Sequence, residues 1–541
     1  MLLSSLTASV FSLNNLNSPL LFLLSLSVMA LSRRVRVSTS PSRFWGRLFG
    51  GVQNSTFYSD TANKDYSDTL NSMFRAVKKP SRHNLVGEDG GGNKVGNERH
   101  SSTNATPKSS PSDELFHKRK VFFNGHAKNC GLYVDASQKI PRTIHVAGSK
   151  GKGSVVEYIA AGIRSHGQGK VGIFTSPHLH TARERIKVGE DLISKEDLTR
   201  VGKEALAITK DHDWAVFFDI FLTCALTYFG EKQVEYLILE AGIGGRYDST
   251  NFVDNPEVGV ITSISLDHQA ILGSTISEIA KQKAGIIKPG MAIFTPSNQD
   301  QEVIDIISEE CTKQNAKLYI VNTDNPVIAQ QLEIEIEYEV QMQNACIADA
   351  VMQYLKVPST GLKNFFWPCR MEKFNYNGVD LIIDGSHNGD SVQQFLSGVK
   401  RLHPNRHIRV LFAAGVEKCL NDMLIQVATM ADSIVYMQSK HFKAASEQDL
   451  DDSMNKLNKT VSMPLNGRPV PWEKNGTISR RIKDAVQTIS SEYSQDMSKS
   501  PVLVICGSLF AAAETREALN EIEPTLFKET DWVKFKDPQD P

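Results

Sequence analysis

The sequence predicts an α/β fold in which a mostly parallel sheet carries helices on both faces. Two observations predict it. Beyond Val121, short apolar runs alternate with longer stretches of helical periodicity, and strands separated by helices form crossover units that leave the strands parallel. The apolar runs are also followed directly by glycine-rich or polar clusters. Ligands of parallel sheets bind beyond the carboxyl ends of the strands, which is where those clusters fall.

The elements follow in order. Thr143–Val146 reads as a first strand, followed by a glycine loop and a helix over Ser154–Ser165. Val171–Phe174 is a second strand, and Phe217–Phe229 a helix apolar enough to be buried. Val234–Leu239 and Val258–Ile264 are strands, and Thr275–Ile287 is an amphipathic helix. Val379–Ile383, Ile408–Ala413, Ser433–Met437 and Val502–Ile505 form a later set of strands.

Composition bounds the function. The 541 residues, at ~100–200 per domain, allow two to four domains. Lys and Arg number 60 against 61 acids, so charge favours neither nucleic acid nor an anionic membrane. The seven cysteines contain no Cys-x-x-Cys pair. That argues against a disulfide framework or a zinc site and fits a reducing compartment.

The N-terminus has a composition of its own. No acid precedes Asp60, whereas Arg33, Arg34, Arg36, Arg43 and Arg47 lie within the same serine-rich stretch. That is the balance of a transit peptide, read first as mitochondrial, with plastid or ER entry, or neither, as the alternatives. The apolar run Leu20–Leu31 lacks a basic segment ahead of it and is shorter than the ~20 residues of a membrane span, so no stable membrane insertion is expected. A start at Met29 leaves a clean Arg-rich leader, and an alternative start allows a cytosolic form. Residues 1–59 are thus expected to be a leader. Residues 60–120 are expected to be a disordered linker, because Gly87–Asp113 is nearly free of apolar side chains.

Five strand-end clusters bear chemistry. Gly148-Ser149-Lys150-Gly151-Lys152-Gly153-Ser154 joins a strand to a helix. Such a loop can turn its amides inward on phosphate oxygens at a helix N-terminus, with Lys152 reaching the terminal phosphates. Gly153 intervenes before Ser154, so the strict G-x-x-x-x-G-K-[ST] pattern is not met. Glu240 ends the strand VEYLIL before Ala241-Gly242-Ile243-Gly244-Gly245; it reads as a magnesium ligand or as a solvated strand-end acid. Asp267-His268 reads as a site or as a helix cap. Asp384-Gly385-Ser386-His387-Asn388 reads as a ribose and substrate contact or as a polar turn. Arg370, in Trp367-Pro368-Cys369-Arg370, suits phosphate or sits in a surface linker.

Together, HVAGSKGKGS, FTSPHL…RERI, LEAGIGGRYDSTN, SLDH, AKQKAGIIK and DGSHN resemble the folylpolyglutamate synthase/dihydrofolate synthase family of the wider Mur-ligase group. The resemblance is dense from Thr143 to Thr295 and thinner from Asn344 to Leu509. It implies a P-loop ATPase domain with a mostly parallel sheet over 121–365 and a smaller Rossmann-like ligase domain over 366–541. It also implies ATP and Mg2+ as cofactors, folate or dihydropteroate and L-glutamate as substrates, and a monomer. Residue by residue, it assigns Gly148–Ser154 to the ATP phosphates and Ser176, Glu240 and His268 to magnesium. Lys283 matches a lysine often carried as a carbamate. Asn344 matches an adenine-side asparagine, Arg370 a phosphate contact and Asp384 a ribose contact. His387 matches the histidine near the incoming glutamate. Asp248 and Asn251 match the loop beside the metals.

Several residues depart from the family pattern. Cys369 stands where a small residue is usual, Ser386 replaces alanine, and Gly389 stands where proline is usual. In Gly415–Asp422 a compact DKD is missing, and Lys443 replaces an arginine. Cys130–Pro141, in the region that helps hold the pterin, is barely recognisable.

Overall fold

The computed structural model describes residues 57–76, 110–132, 141–167, 169–323, 339–415, 420–440, 444–460, 468–469, 478–496 and 499–536. The leader through residue 56, most of Gly87–Asp113, part of Cys130–Pro141 and Gly415–Asp422, and Lys443 lie outside them.

Two helices open the described chain, α1 (Phe57–Arg75) and α2 (Pro111–Asn129). The first sheet follows: β1 (Arg142–Ala147), α3 (Lys152–Ser165), β2 (Val171–Phe174), β3 (Ile186–Val188), β4 (Asp191–Leu192), α4 (Lys195–Thr209), α5 (Phe217–Lys232), β5 (Tyr236–Glu240), β6 (Val258–Ile261), α6 (Ile276–Ala284), β7 (Ala292–Pro296), β8 (Lys317–Val321) and α7 (Glu339–Leu355). Its order is β4-β3-β2-β5-β1-β6-β7-β8. β1 lies between β5 and β6 and is parallel to both, with His145 opposite Leu239 and Gly259. Only β3 runs against the other strands, pairing antiparallel with β2 and with its edge-hairpin partner β4.

The second sheet contains β9 (Glu372–Tyr376), β10 (Val379–Ile383), β11 (Ile408–Phe412), β12 (Ser433–Tyr436), β13 (Arg468–Pro469) and β14 (Val502–Cys506). Helix α8 (Gly389–Leu402) follows β10, and α9 (Leu509–Ile522) follows β14. The order is β13-β12-β11-β14-β10-β9, with β9 alone antiparallel. The fold class expected from the sequence is the one found, and the strands begin and end within a few residues of their expected limits.

The physical basis is burial on both faces. β1, β2 and β5 are buried almost throughout, as parallel strands covered by helices are. On one side they pack against α1, α2, α4 and α5. On the other they pack against α3 and α7.

The linker expected over residues 60–120 is corrected at both ends. Tyr66, Leu70 and Met73 of α1 are each no more than 1% exposed and join the core of the first sheet. Their spacing (i, i+4, i+7) places them on one helix face, and Phe74 stacks on Phe217 at 4.1 Å. Helix α2 starts at Pro111 with Ser110 as its cap. Among the described residues no helix is long and apolar enough to cross a membrane.

Candidate active site

The glycine loop is set by its neighbours. Gly148 has φ +148°, and a Cβ there would overlap the Thr262 hydroxyl. Gly151 has φ +82°, and a Cβ there would overlap the Asn344 amide. Ser149 is held by Ser263 and Ser265: its N–H donates to Ser263 O at 2.9 Å and its hydroxyl to Ser265 O at 3.0 Å. The departure at Gly153 has a cause. Its missing Cβ would stand 2.8 Å from Trp367 Cζ2, so the indole lies over the helix start where a side chain would otherwise be. Gly153→Ser, which puts a hydroxyl directly after Lys152, is expected to lower the melting temperature by several degrees through overpacking. An unchanged thermal melt would contradict that placement.

Two lysines converge on one carbonyl. Lys152 Nζ donates to Gly148 O at 3.2 Å and Lys283 Nζ to the same oxygen at 2.8 Å. Lys283 is 3% exposed, and burial, with the Lys152 charge, pulls its amine down to about 7. Lys150, also pulled down by burial to about 8, forms an ion pair with Asp390 at the start of α8.

Glu240 faces this loop from the end of β5. It is buried, and its carboxyl is raised by desolvation, opposed by the charge of Lys152 and the Ser176 N–H, with smaller contributions from Arg370 and Arg185. Its Oε2 accepts the Ser176 N–H at 2.9 Å. The His268 ring is 42% exposed, with Asp267 at 3.8 Å. Among the described residues no three His, Cys, Asp or Glu groups gather into a metal cluster. Ser176 and Glu240 are brought together by the hydrogen bond between them. The left-handed backbone of His268 (φ 51°) starts a short helix, Gln269–Leu272.

From the second half, Arg370 donates to Cys369 O at 2.9 Å, and a Cβ on Gly385 would stand 2.5 Å from its guanidinium. Asp384 is buried and its two oxygens accept Met371 N–H at 3.0 Å and Ser386 N–H at 2.8 Å. In this arrangement it fixes the Arg370–Met371 turn. His387 Nδ1 lies 2.9 Å from Gly385 O, and because a carbonyl oxygen only accepts, Nδ1 bears a proton. Asn388 caps α8. Asn344 lies against Gly151, with its amide also donating to Gln341 at 3.2 Å.

Next to the glycines after β5, buried Asp248 accepts Ile243 N–H at 3.0 Å, and Asn251 donates to Arg246 O and Gly285 O at 3.0 Å. The half-buried Phe218 ring lies beside Gly242. Arg185 is poised over Phe217 at 5.1 Å.

Three buried charges escaped the sequence reading. Asp219 accepts Val216 N–H at 2.9 Å and pairs with Arg119 at 3.3 Å. Glu157 of α3 binds Lys187 and Arg164, each at 2.6 Å. Lys187 also lies 5.2 Å from the Trp367 ring and 4.9 Å from the Trp532 ring. A lone acid in an apolar helix, as in SVVEYIAAG or FFDIFL, was the available signal, since such an acid is not buried without a partner.

Comparison with known proteins then places the chain. The Mur ligase middle domain profile matches residues 146–365, and that of the Mur ligase glutamate ligase domain matches 369–509. The dihydrofolate synthase/folylpolyglutamate synthase of Bacillus subtilis is 31% identical over 431 residues, which span 73% of this chain and 94% of that protein. The chain belongs to the dihydrofolate synthase/folylpolyglutamate synthase family. Within that family, the dihydrofolate synthetase of Saccharomyces cerevisiae is 26% identical over 412 residues, spanning 69% of this chain and 92% of the other. The fold matches the folylpolyglutamate synthase of Mycobacterium tuberculosis complexed with ADP, with a TM-score of 0.63 at 22% identity, covering 74% of this chain and 96% of that one.

Proposed function

We infer that this protein is an ATP-dependent ligase that joins the α-amine of L-glutamate to a folate carboxylate, the reaction of a folylpolyglutamate synthase. The observation that carries this reading is the convergence of Lys152 and Lys283 on Gly148 O, with the buried acid Glu240 and the Arg370 guanidinium in electrostatic reach of the same loop. It is a cradle for a triphosphate and an acidic acceptor.

A carboxylate is too poor an electrophile to form an amide in water. Transfer of the γ-phosphoryl group of ATP to it breaks one P–O bond, releases ADP and gives an acyl phosphate. The glutamate amine then attacks the carbonyl carbon, loses a proton, and phosphate leaves. Lys152 and Arg370 stabilise charge on the transferred group. Asn344 holds Gly151 against the nucleotide. His387 is placed beside the incoming glutamate. Phe218, beside Gly242, offers a flat face to the heteroaromatic end of the acceptor. The meeting of the two halves over the loop excludes water, which would hydrolyse the acyl phosphate.

The residues present fit Mg2+. Glu240 is a hard oxygen donor with no Lys or Arg nitrogen in ion-pair contact among the described residues, and the Ser176 hydroxyl lies on the loop bonded to it. Glu240 and Ser176 would hold the ion, which when bound supplies positive charge to the phosphate oxygens. His268, on the loop after β6, is proposed as the third ligand beside them.

Lys283 fits carbamate formation, which needs a neutral amine. Its folded value is about 7 against the ordinary 10.5, so the neutral share grows as pH rises through about 7. Activity in bicarbonate is expected to rise across that window, and Lys283→Arg to lose that limb; an unchanged pH profile in the variant contradicts this. The unfolded chain binds the extra proton between those values, so this group's contribution to stability rises with pH from about 7 to 10.5.

A second reading, dihydrofolate synthase acting on dihydropteroate, is favoured by one observation: of three relatives spanned over more than nine-tenths of their length, two bear that activity in their names, and the third, from Lacticaseibacillus casei, is named a folylpolyglutamate synthase. The test uses protein without the leader, ATP, magnesium and labelled glutamate, with dihydropteroate in one arm and tetrahydrofolate monoglutamate in the other. Label in the tetrahydrofolate product supports the first reading. Label in the dihydropteroate product supports the second, and label in both a bifunctional enzyme. On the composition of its N-terminus the protein is placed in mitochondria, and it is taken to act as a monomer.

A further inference from the structure

The largest fully buried side chain in the described structure is a cation, Arg516 of α9. Its guanidinium is an ion-pair partner of Glu372, with Nε 2.8 Å from Oε2, and of Asp531 at 2.7 Å. It also lies over the Phe527 ring at 5.2 Å. These partners belong to the second half. The remaining one does not. Arg516 Nη1 lies 2.7 Å from Nε2 of His180, a residue of the first half 336 positions earlier.

His180 sits on the loop after β2, four residues beyond Ser176. A guanidinium can only donate hydrogen bonds, so His180 Nε2 is the acceptor and its ring proton is on Nδ1. That nitrogen lies 3.2 Å from Glu517 Oε1 and donates to it. Glu517 is itself paired with Lys536. The His180 side chain is wholly buried. The loop that bears it is stiff, because Glu184 accepts the backbone N–H groups of Leu179, His180 and Thr181 at 2.6, 2.7 and 2.9 Å. Leu179 packs against the hydrophobic cluster around β10 and β14 of the second half.

The other arm of Arg516 reaches the second catalytic loop. Glu372 Oε2 accepts the Cys369 N–H at 2.9 Å, and Cys369 O accepts from Arg370 Nη1 and from Gly385 N, each at 2.9 Å. One buried cation thus connects the Ser176 loop, through His180, with the Arg370 turn, through Glu372.

We propose that Arg516 and His180 are positioning residues for the ligation, forming a buried strut that sets the Ser176 loop against the Arg370 turn. This inference rests on the ligase reading above. Phosphoryl transfer depends on placing groups from both loops around one phosphate, and displacements of about 1 Å cost about a hundredfold in rate. The strut acts on that placement and leaves the glycine loop, which binds the nucleotide, untouched.

The test compares His180→Gln with His180→Leu in the full chain, using the acceptor on which the parent is active. Glutamine can accept from Arg516 and donate to Glu517; leucine can do neither. His180→Leu is expected to lower kcat at least tenfold with the KM for ATP and calorimetric ADP affinity within threefold of the parent. His180→Gln is expected to retain kcat within threefold. A folded His180→Leu with kcat within twofold of the parent, or a His180→Gln as slow as His180→Leu, would overturn the proposal. Should His180→Leu fail to fold, Glu517→Ala decides, with Lys536→Ala as the control for the second ion pair it breaks, because it leaves the Arg516 ion pairs intact and removes the partner that orients the ring. A kcat loss of fivefold or more at an unchanged melting temperature supports the strut, and an unchanged kcat refutes it. A parent chain inactive with every acceptor overturns the ligase reading and this inference with it. An active parent with an equally active His180→Leu overturns this inference alone.

Discussion

Glu240→Ala is expected to lower kcat by about 10^2–10^3-fold while the melting temperature holds or rises. The two halves of that expectation have one cause. Glu240 is buried at the end of β5, and desolvation raises its carboxyl, so its charge costs folding free energy in the absence of a cation. Alanine removes that cost, and with it the acid that faces the phosphates. His268→Ala gives a useful contrast. Its ring is 42% exposed, so its removal should leave stability unchanged, and a rate loss would assign the imidazole to the site. A Glu240→Ala protein with kcat within tenfold of the parent would break the assignment of this carboxylate.

Deleting residues 1–120 is expected to abolish cooperative folding. The deletion removes α1, whose Tyr66, Leu70 and Met73 fill the core beside α4 and α5. Losses of large buried side chains cost ~2–5 kcal/mol each, against a total domain stability of ~5–15 kcal/mol. It also removes Arg119, the partner of Asp219 at 3.3 Å, and leaves that buried acid without its cation. Deleting only residues 1–50 should leave the melting temperature unchanged. A folded, fully active 121–541 chain would show that α1 is dispensable.

The parallel strands and their carboxyl-end clusters were legible because period and local chemistry coincide there. TIHV, VEYLIL and the strand before DGSHN each lead directly into site residues. Short antiparallel edges such as Asp191–Leu192 hold too few residues to show a period. Helix α1 was hidden by a different mechanism. Its apolar stripe is narrow and set among polar residues, so composition read as linker although Tyr66, Leu70 and Met73 kept helical spacing. The contacts between the two halves were not legible at all. Trp367 over Gly153, Lys150 with Asp390 and Arg516 with His180 join residues far apart in the chain, and sequence spacing holds no information about such pairs. Asp384 shows a related limit: a residue type suited to ribose is found holding the Met371 and Ser386 amides.

The central claim is that ATP activates the acceptor carboxylate before glutamate attacks. The most direct measurement places 18O in that carboxylate, using whichever acceptor is active, and follows the phosphate released as labelled glutamate is incorporated. One 18O atom should appear in phosphate for each amide formed. Amide formation with no 18O in the released phosphate would contradict an acyl phosphate intermediate.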